Sequence, residues 1–123
     1  MKIYIAGPMT GIRDFNFPEF RKMEKWMEGW GIDYISPVDM DLDYGLIFTK
    51  EEMATGRMSA NKSLDSIIRR DVGAILECTG IVMLKGWEDS RGAMAEWHVA
   101  RWAGRNMFYE ATIATIVAKD WVN

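Results

Sequence analysis

The sequence is poor in the side chains that carry most metal and redox chemistry. Its 123 residues include one cysteine, Cys78, and one histidine, His98. A lone thiol excludes an internal disulfide and a multi-cysteine metal site, and a lone imidazole excludes His-rich ligation and argues against a Cys-His-Asp triad. Positive charge is in deficit, with 15 Lys and Arg against 18 Asp and Glu and a net charge of -3. That balance argues against a nucleic-acid polymer as partner, because phosphate backbones recruit Lys/Arg surfaces. A small anionic ligand needs only one or two local donors and stays allowed. No apolar run approaches the roughly 18 residues of a membrane span, and no leader-like segment opens the chain. The expectation is a cytoplasmic protein that needs no membrane, metal or cofactor and whose chemistry, if any, rests on carboxylates.

What is present suits one domain over residues 1–123, since about 100 to 150 residues form a typical core. Hydrophobic residues make up 49% and charged residues 27%, an ordinary globular balance. Ten Met and six Trp are many for this length. They fill a core, or some of them line an oligomer interface or a ligand pocket, where such side chains concentrate.

Lys2–Ala6 reads as a first strand. The segment Asn16-Phe17-Pro18-Glu19 predicts a helix start, with Asn16 as cap, Glu19 completing a capping box and Pro18 tolerated in the first turn. Phe20, Met23, Met27 and Trp30 continue at helical spacing up to Gly29 and Gly31. Residues 33–36 form a short second strand stopped by Pro37. Residues 38–61 have no sustained periodicity and read as a long lid or binding loop, with at most a helical turn near residues 51–54. Ser63 is a fair N-cap for a helix to about Glu77. Strand residues 80–84, loop 86–92, helix 91–103 and strand 106–110 follow. The tail is ambiguous: it is rich in β-branched residues, yet Ile113, Ile116 and Val117 fall at helical spacing. Alternating strands and helices predict an α/β fold, a doubly wound, flavodoxin-like parallel sheet of four or five strands with helices on both faces. Ligands in such sheets bind beyond the carboxyl ends of the strands.

Two acids break their helical patterns. At about 100° per residue, Leu64, Ile67, Ile68, Ile75 and Cys78 share one side of the 63–77 helix, and Ser66, Arg69, Arg70, Gly73 and Glu77 the other. Asp71 lands in the apolar sector. In the 91–103 helix, Gly92, Ala95, Val99, Ala100 and Ala103 form a small-residue face, and Glu96 sits in the middle of it. A carboxylate so placed is costly unless paired, hydrogen-bonded or protonated. Either acid alone fits a structural bond to Arg13, Arg91 or backbone. Two on neighbouring helices suit nucleophile and acid/base work.

The segments GPMTG, NFP, RRD and GWEDSRGAMAE together resemble a family of small proteins common in phages and prophages. That family is similar to nucleoside 2-deoxyribosyltransferases and 2'-deoxynucleoside 5'-phosphate N-hydrolases. The resemblance spans nearly the whole chain, least in residues 38–61 and the tail. It implies the flavodoxin-like fold and cleavage or transfer at the N-glycosidic bond of a nucleoside or nucleotide. Glu96 would be the nucleophile and Asp71 its support or a sugar contact. Gly7, Pro8, Gly11 and Arg13 of the first loop would line the sugar-phosphate pocket, with Ser90 and Gly92 before Glu96. Tyr4 and Trp87 would pack on sugar or base, or simply fill the core. Ser90 stands where the nucleotide hydrolases carry a phosphate-contacting serine and the transferases an aspartate. With Arg13 and Arg91 nearby it leans toward a monophosphate, while adjacent Asp89 keeps the nucleoside open. Trp97 and His98 replace a small residue and a glycine. Relatives assemble as homo-oligomers, an expectation that Trp97 and Trp26 on outward helix faces reinforce. The alternatives are a catalytically silent nucleotide-binding module, an NAD glycohydrolase-like enzyme and, on fold alone, a flavodoxin-type electron carrier.

Overall fold

The computed structural model describes residues 1–43, 47–59 and 64–120, with the backbone alone for 118–120. Four strands, β1 (Lys2–Ala6), β2 (Asp33–Ile35), β3 (Gly80–Met83) and β4 (Asn106–Tyr109), form one sheet in the order β2-β1-β3-β4. Every pairing is parallel, with Tyr4 opposite Ile35 on one side and Ile81 on the other. Among the described residues, six α-helices surround the sheet: α1 (Phe17–Gly29), α2 (Pro37–Asp43), α3 (Lys50–Thr55), α4 (Leu64–Glu77), α5 (Arg91–Trp102) and α6 (Glu110–Asp120).

The two-residue alternation of the strands sorts the core into two layers. Ile3, Ile5 and Val82 face one side with Phe20, Met23 and Met27 of α1 and Ile113 and Val117 of α6. Tyr4, Ala6, Ile81 and Met83 face the other with Ala74 and Ile75 of α4 and Ala93 and Ala100 of α5. The sheet is therefore doubly wound as expected, with four strands. The acids of α4 and α5 lie on the same face as Tyr4.

Three expectations change. Residues 38–61 hold two short helices, α2 and α3, rather than one long loop. Neither is long enough to show a period. The second is opened by a capping box in which Thr49 Oγ1 accepts from Glu52 N–H and the Glu52 carboxylate accepts from Thr49 N–H. The tail resolves as helix α6, its buried Ile113 and Val117 deciding against a strand. Asn16 precedes α1 but its side chain caps nothing, because Asp14, Phe15 and Asn16 all take left-handed backbone, φ 56°, 50° and 62°. Burial of Phe15 against Phe17 and Phe48 overrides the local capping signal. Glu19 instead pairs with Lys22 at 3.0 Å. Ser63, the expected cap of α4, lies outside the described residues.

Candidate active site

The site begins at Tyr4 in the middle of β1. With no exposed surface, its ring cannot stack on a ligand, and it takes the core side of the two readings left open. Its hydroxyl, however, donates to Glu96 Oε2 on α5. Burial, followed by the charge of Glu96, raises the Tyr4 pKa well above the ordinary phenol value, so this hydroxyl keeps its proton to donate. Burial also pushes the Glu96 carboxyl up to about 8, and neighbouring Asp71 adds to the rise. The Tyr4 hydrogen bond and the charge of Arg70 oppose it.

Asp71 enters from α4. Its Oδ1 accepts from Arg70 Nε at 2.9 Å and lies 2.9 Å from Nη2. The same guanidinium reaches Asp41 of α2, with Nη1 to Oδ1 2.7 Å and both side chains only 8% exposed. Burial raises the pKa of Asp71, with Asp41 adding to it and Arg70 opposing. Burial likewise raises Asp41 against the pull of Arg70. Burial works against the charge on Arg70, yet Asp71 and Asp41 outweigh it and its pKa is raised. The result is a chain of groups, Tyr4–Glu96–Asp71–Arg70–Asp41, drawn from β1, α5, α4 and α2.

The two acids read from the helical wheels thus converge within electrostatic reach of each other. Arg70 and Asp41 were missed. Arg70 was placed on the polar side of α4, but its long side chain bends back along the helix surface to the carboxylates. The signal available was RRD itself: an aspartate forced into an apolar sector calls for an adjacent cation.

Beyond the carboxyl ends of β1, β3 and β4 lies a cleft of about 540 Å³. Pro8, Thr10 and Ile12 of the first loop form one wall, and Leu84 to Gly86, Asp89 and Ser90 form another. Asn16, Glu19 and Glu110 complete the lining. Of the residues expected to bind substrate, Pro8 and Ser90 are here. Ser90 caps α5, its Oγ accepting from Ala93 N–H at 3.2 Å.

The remaining expected contacts have other places. Gly7 is needed for packing: a Cβ there would meet the Leu84 side chain at 2.8 Å. Gly11 adopts φ +83° and spends its N–H on Gly56 O at 2.8 Å, so its main chain is occupied within the protein. Arg13, Arg91 and Gly92 are exposed and outside the cleft lining. Trp87 stacks on Trp97 at 5.4 Å and lies near Tyr109, whose hydroxyl accepts from Trp97 Nε1. Trp97 and Trp26 are both partly buried, packed on one side against the core. His98 is exposed at the edge of Trp97. Among the described residues, no group of three His, Cys, Asp or Glu side chains could hold a metal ion, and no helix is long and apolar enough to cross a membrane.

Fold and site together define a doubly wound α/β protein with a tyrosine–carboxylate cluster between the sheet and the α4/α5 layer. The chain belongs to the family described as Domain of unknown function (DUF4406), whose model matches residues 1–109. No curated protein matched the chain. Among solved structures it is similar to a 2-deoxyribosyltransferase from the psychrotolerant bacterium Bacillus psychrosaccharolyticus, with TM-score 0.62 and 16% identity over 89% of this chain and 71% of that one. It is also similar to the 2-desoxiribosyltransferase from Leishmania mexicana, with TM-score 0.60 and 18% identity over 88% of this chain and 62% of that one. At these identities the likeness is one of fold.

Proposed function

We propose that this protein is an enzyme that cleaves or transfers the N-glycosidic bond of a (deoxy)nucleoside or its 5'-monophosphate, with Glu96 as nucleophile. The observation that carries the reading is Glu96 held by the Tyr4 hydroxyl, beside a second, partly buried acid whose charge Arg70 balances. The shared fold with two deoxyribosyltransferases supports the class of bond.

In this reading ionised Glu96 forms an ester bond to C1' as the C1'–N bond breaks. The bonding pair leaves with the base, which takes a proton from solvent. Water or a second base then attacks C1' and releases Glu96. Tyr4 orients the carboxylate and keeps part of its charge in place, and Asp71 bonds a sugar hydroxyl or holds Glu96 in register. Arg70, tied to Asp41, fixes Asp71. Pro8 and Ser90 line the part of the cleft that receives the sugar. The expected working form is a homo-oligomer.

The test is a panel of nucleosides and deoxynucleotides incubated with the protein, with free base followed by chromatography. Wild type releases base, and Glu96→Gln loses at least about a thousandfold, in line with removal of a nucleophile. Equal rates in the two proteins would remove Glu96 from the chemistry.

A further inference from the structure

We infer that α2 is a clasp over the edge of the sheet, through which Arg21 on one face positions the Arg70–Asp71 pair beside Glu96 on the other. The role of that pair in the reaction rests on the N-glycosidic reading above, whereas the clasp itself rests on geometry.

The helix follows β2, the edge strand, directly. Positions two apart on a helix point about 200° apart, so the apolar side chains Val38 and Met40 diverge, and so do the acids Asp39 and Asp41. Val38 is fully buried in the layer that holds α1 and α6. Met40 packs against the other layer, with Tyr4, α4 and α5. One short helix thereby takes part in both cores.

The acids follow the same division. Toward α1, Arg21 Nη1 meets Asp39 Oδ1 and Glu24 Oε1, each at 2.5 Å. Glu24 is only 3% exposed and also accepts, at 2.8 Å, from the hydroxyl of Ser36, the buried residue just ahead of α2. A carboxylate so buried must be paired and hydrogen-bonded, and Glu24 meets that need by joining α1 to the start of α2. Toward α4, Asp41 Oδ1 holds Arg70 Nη1 while Nε and Nη2 of the same guanidinium face Asp71. Held from both sides, α2 cannot turn alone: a rotation that releases Asp39 from Arg21 carries Asp41 away from Arg70. Arg21 and Asp39 are 39% and 41% exposed, against 8% for Arg70 and Asp41. The outer link is therefore the weaker of the two.

Glu96 registers the setting of the clasp. Burial and then Asp71 raise its pKa, and the Tyr4 hydrogen bond and the charge of Arg70 oppose them. Tyr109, the titratable group of β4, is turned to Trp97 instead. A loosened Arg70 withdraws part of the opposing charge, so the Glu96 pKa rises further.

Carbon-13 NMR of the Glu96 carboxyl, assigned with Glu96→Gln, follows its titration without substrate, and the pH profile of base release follows it during the reaction. In Asp41→Asn the titration should move up by about half a pH unit or more, which slows base release at neutral pH by about threefold. Arg21→Met should move it the same way by less, at least about 0.2, and Arg21→Lys should restore the wild-type curve. In a protein that already carries Asp41→Asn, Arg21→Met should add nothing, because both act through one link. Should Arg21→Met fail to fold, Asp39→Asn cuts the same link at a half-exposed residue and carries the same expectation. A Glu96 titration unmoved by the loss of the Arg21–Asp39 pair, or shifts that add in the double variant, overturns the clasp and leaves the N-glycosidic reading standing. Titrations that move as expected in a protein that releases no base sink the reaction and support the clasp.

Discussion

At the scale of single residues the account turns on the protonation of Glu96. Its pKa of about 8 leaves the nucleophile largely protonated at neutral pH, so the rate of base release should climb through pH 8. A rate flat from pH 6 to 9 would contradict that assignment. Because the Tyr4 hydrogen bond lowers the Glu96 pKa, Tyr4→Phe should move this rise to higher pH. It should also cost about 1 kcal/mol of stability, the usual worth of one such bond. Arg70 is held to a stricter demand. Arg70→Met leaves buried Asp41 and partly buried Asp71 without their counter-charge, and breaking a buried pair such as Arg70–Asp41 costs about 3–5 kcal/mol. Denaturant midpoints measure it, and a loss under about 1 kcal/mol would show that the pair is solvated in practice. Asp71 and Glu96 were legible in the sequence because each interrupts a 3.6-residue apolar pattern. Arg70 and Asp41 were not, since a wheel fixes the direction of Cβ and says nothing of where a long side chain ends.

At the scale of elements, the unexpected device is the strap formed by residues 47–59. Phe48 packs on Phe15 at 4.7 Å, Gly56 O accepts from Gly11 N–H, and buried Glu52 ties the strap together through Thr49 and Ser59. These contacts help hold the left-handed run Asp14 to Asn16, a backbone conformation costly for non-glycine residues. Gly56 marks the tightest point: it has φ +68°, and a Cβ there would meet Ile12 O at 2.1 Å. Gly56→Ala should therefore destabilise by about 2 kcal/mol or more. Gly73→Ala, in open space on α4, should stabilise by roughly 0.5–1 kcal/mol. Thermal melts of the two variants separate these signs, and a neutral Gly56→Ala would contradict the close approach. The sequence carried the Thr49–Glu52 capping signature within this strap. It could not disclose the pairing with the first loop, which joins segments some 40 residues apart through aromatic contact. The same non-local contact is why the capping box read at Asn16 and Glu19 does not form.

At the scale of the whole molecule, the order β2-β1-β3-β4 places β1 and β3 at the centre, where the chain winds outward in both directions. The crevice of such a sheet opens there, and the cleft lined by Pro8, Leu84 and Ser90 lies beyond these strand ends. That architecture was legible from alternation alone, since each strand is a short apolar run and each long helix an amphipathic one. The desolvated acid Glu96 also contributes to the pH response of the fold. Glu96 rises from an ordinary 4.5 to about 8 in the folded state, so the folded protein holds a proton that the unfolded chain releases. Stability is then full below about pH 4.5 and is lost progressively up to about pH 8. Urea midpoints should fall over that window in the wild type and fall less in Glu96→Gln. Assembly belongs to this scale too. Trp102, 91% exposed at the end of α5, should become protected in a homo-oligomer, and light scattering at the mass of one chain would contradict that expectation. The central claim is a covalent bond at one carboxylate, and a slow substrate reaches it most directly. A 2'-fluoro-2'-deoxynucleoside makes positive charge at C1' more costly and lengthens the life of any ester. After quenching and digestion, mass spectrometry should find the fluorinated sugar on the peptide that contains Glu96. Base release with no sugar on that peptide, or with the sugar on another carboxylate, would contradict the account.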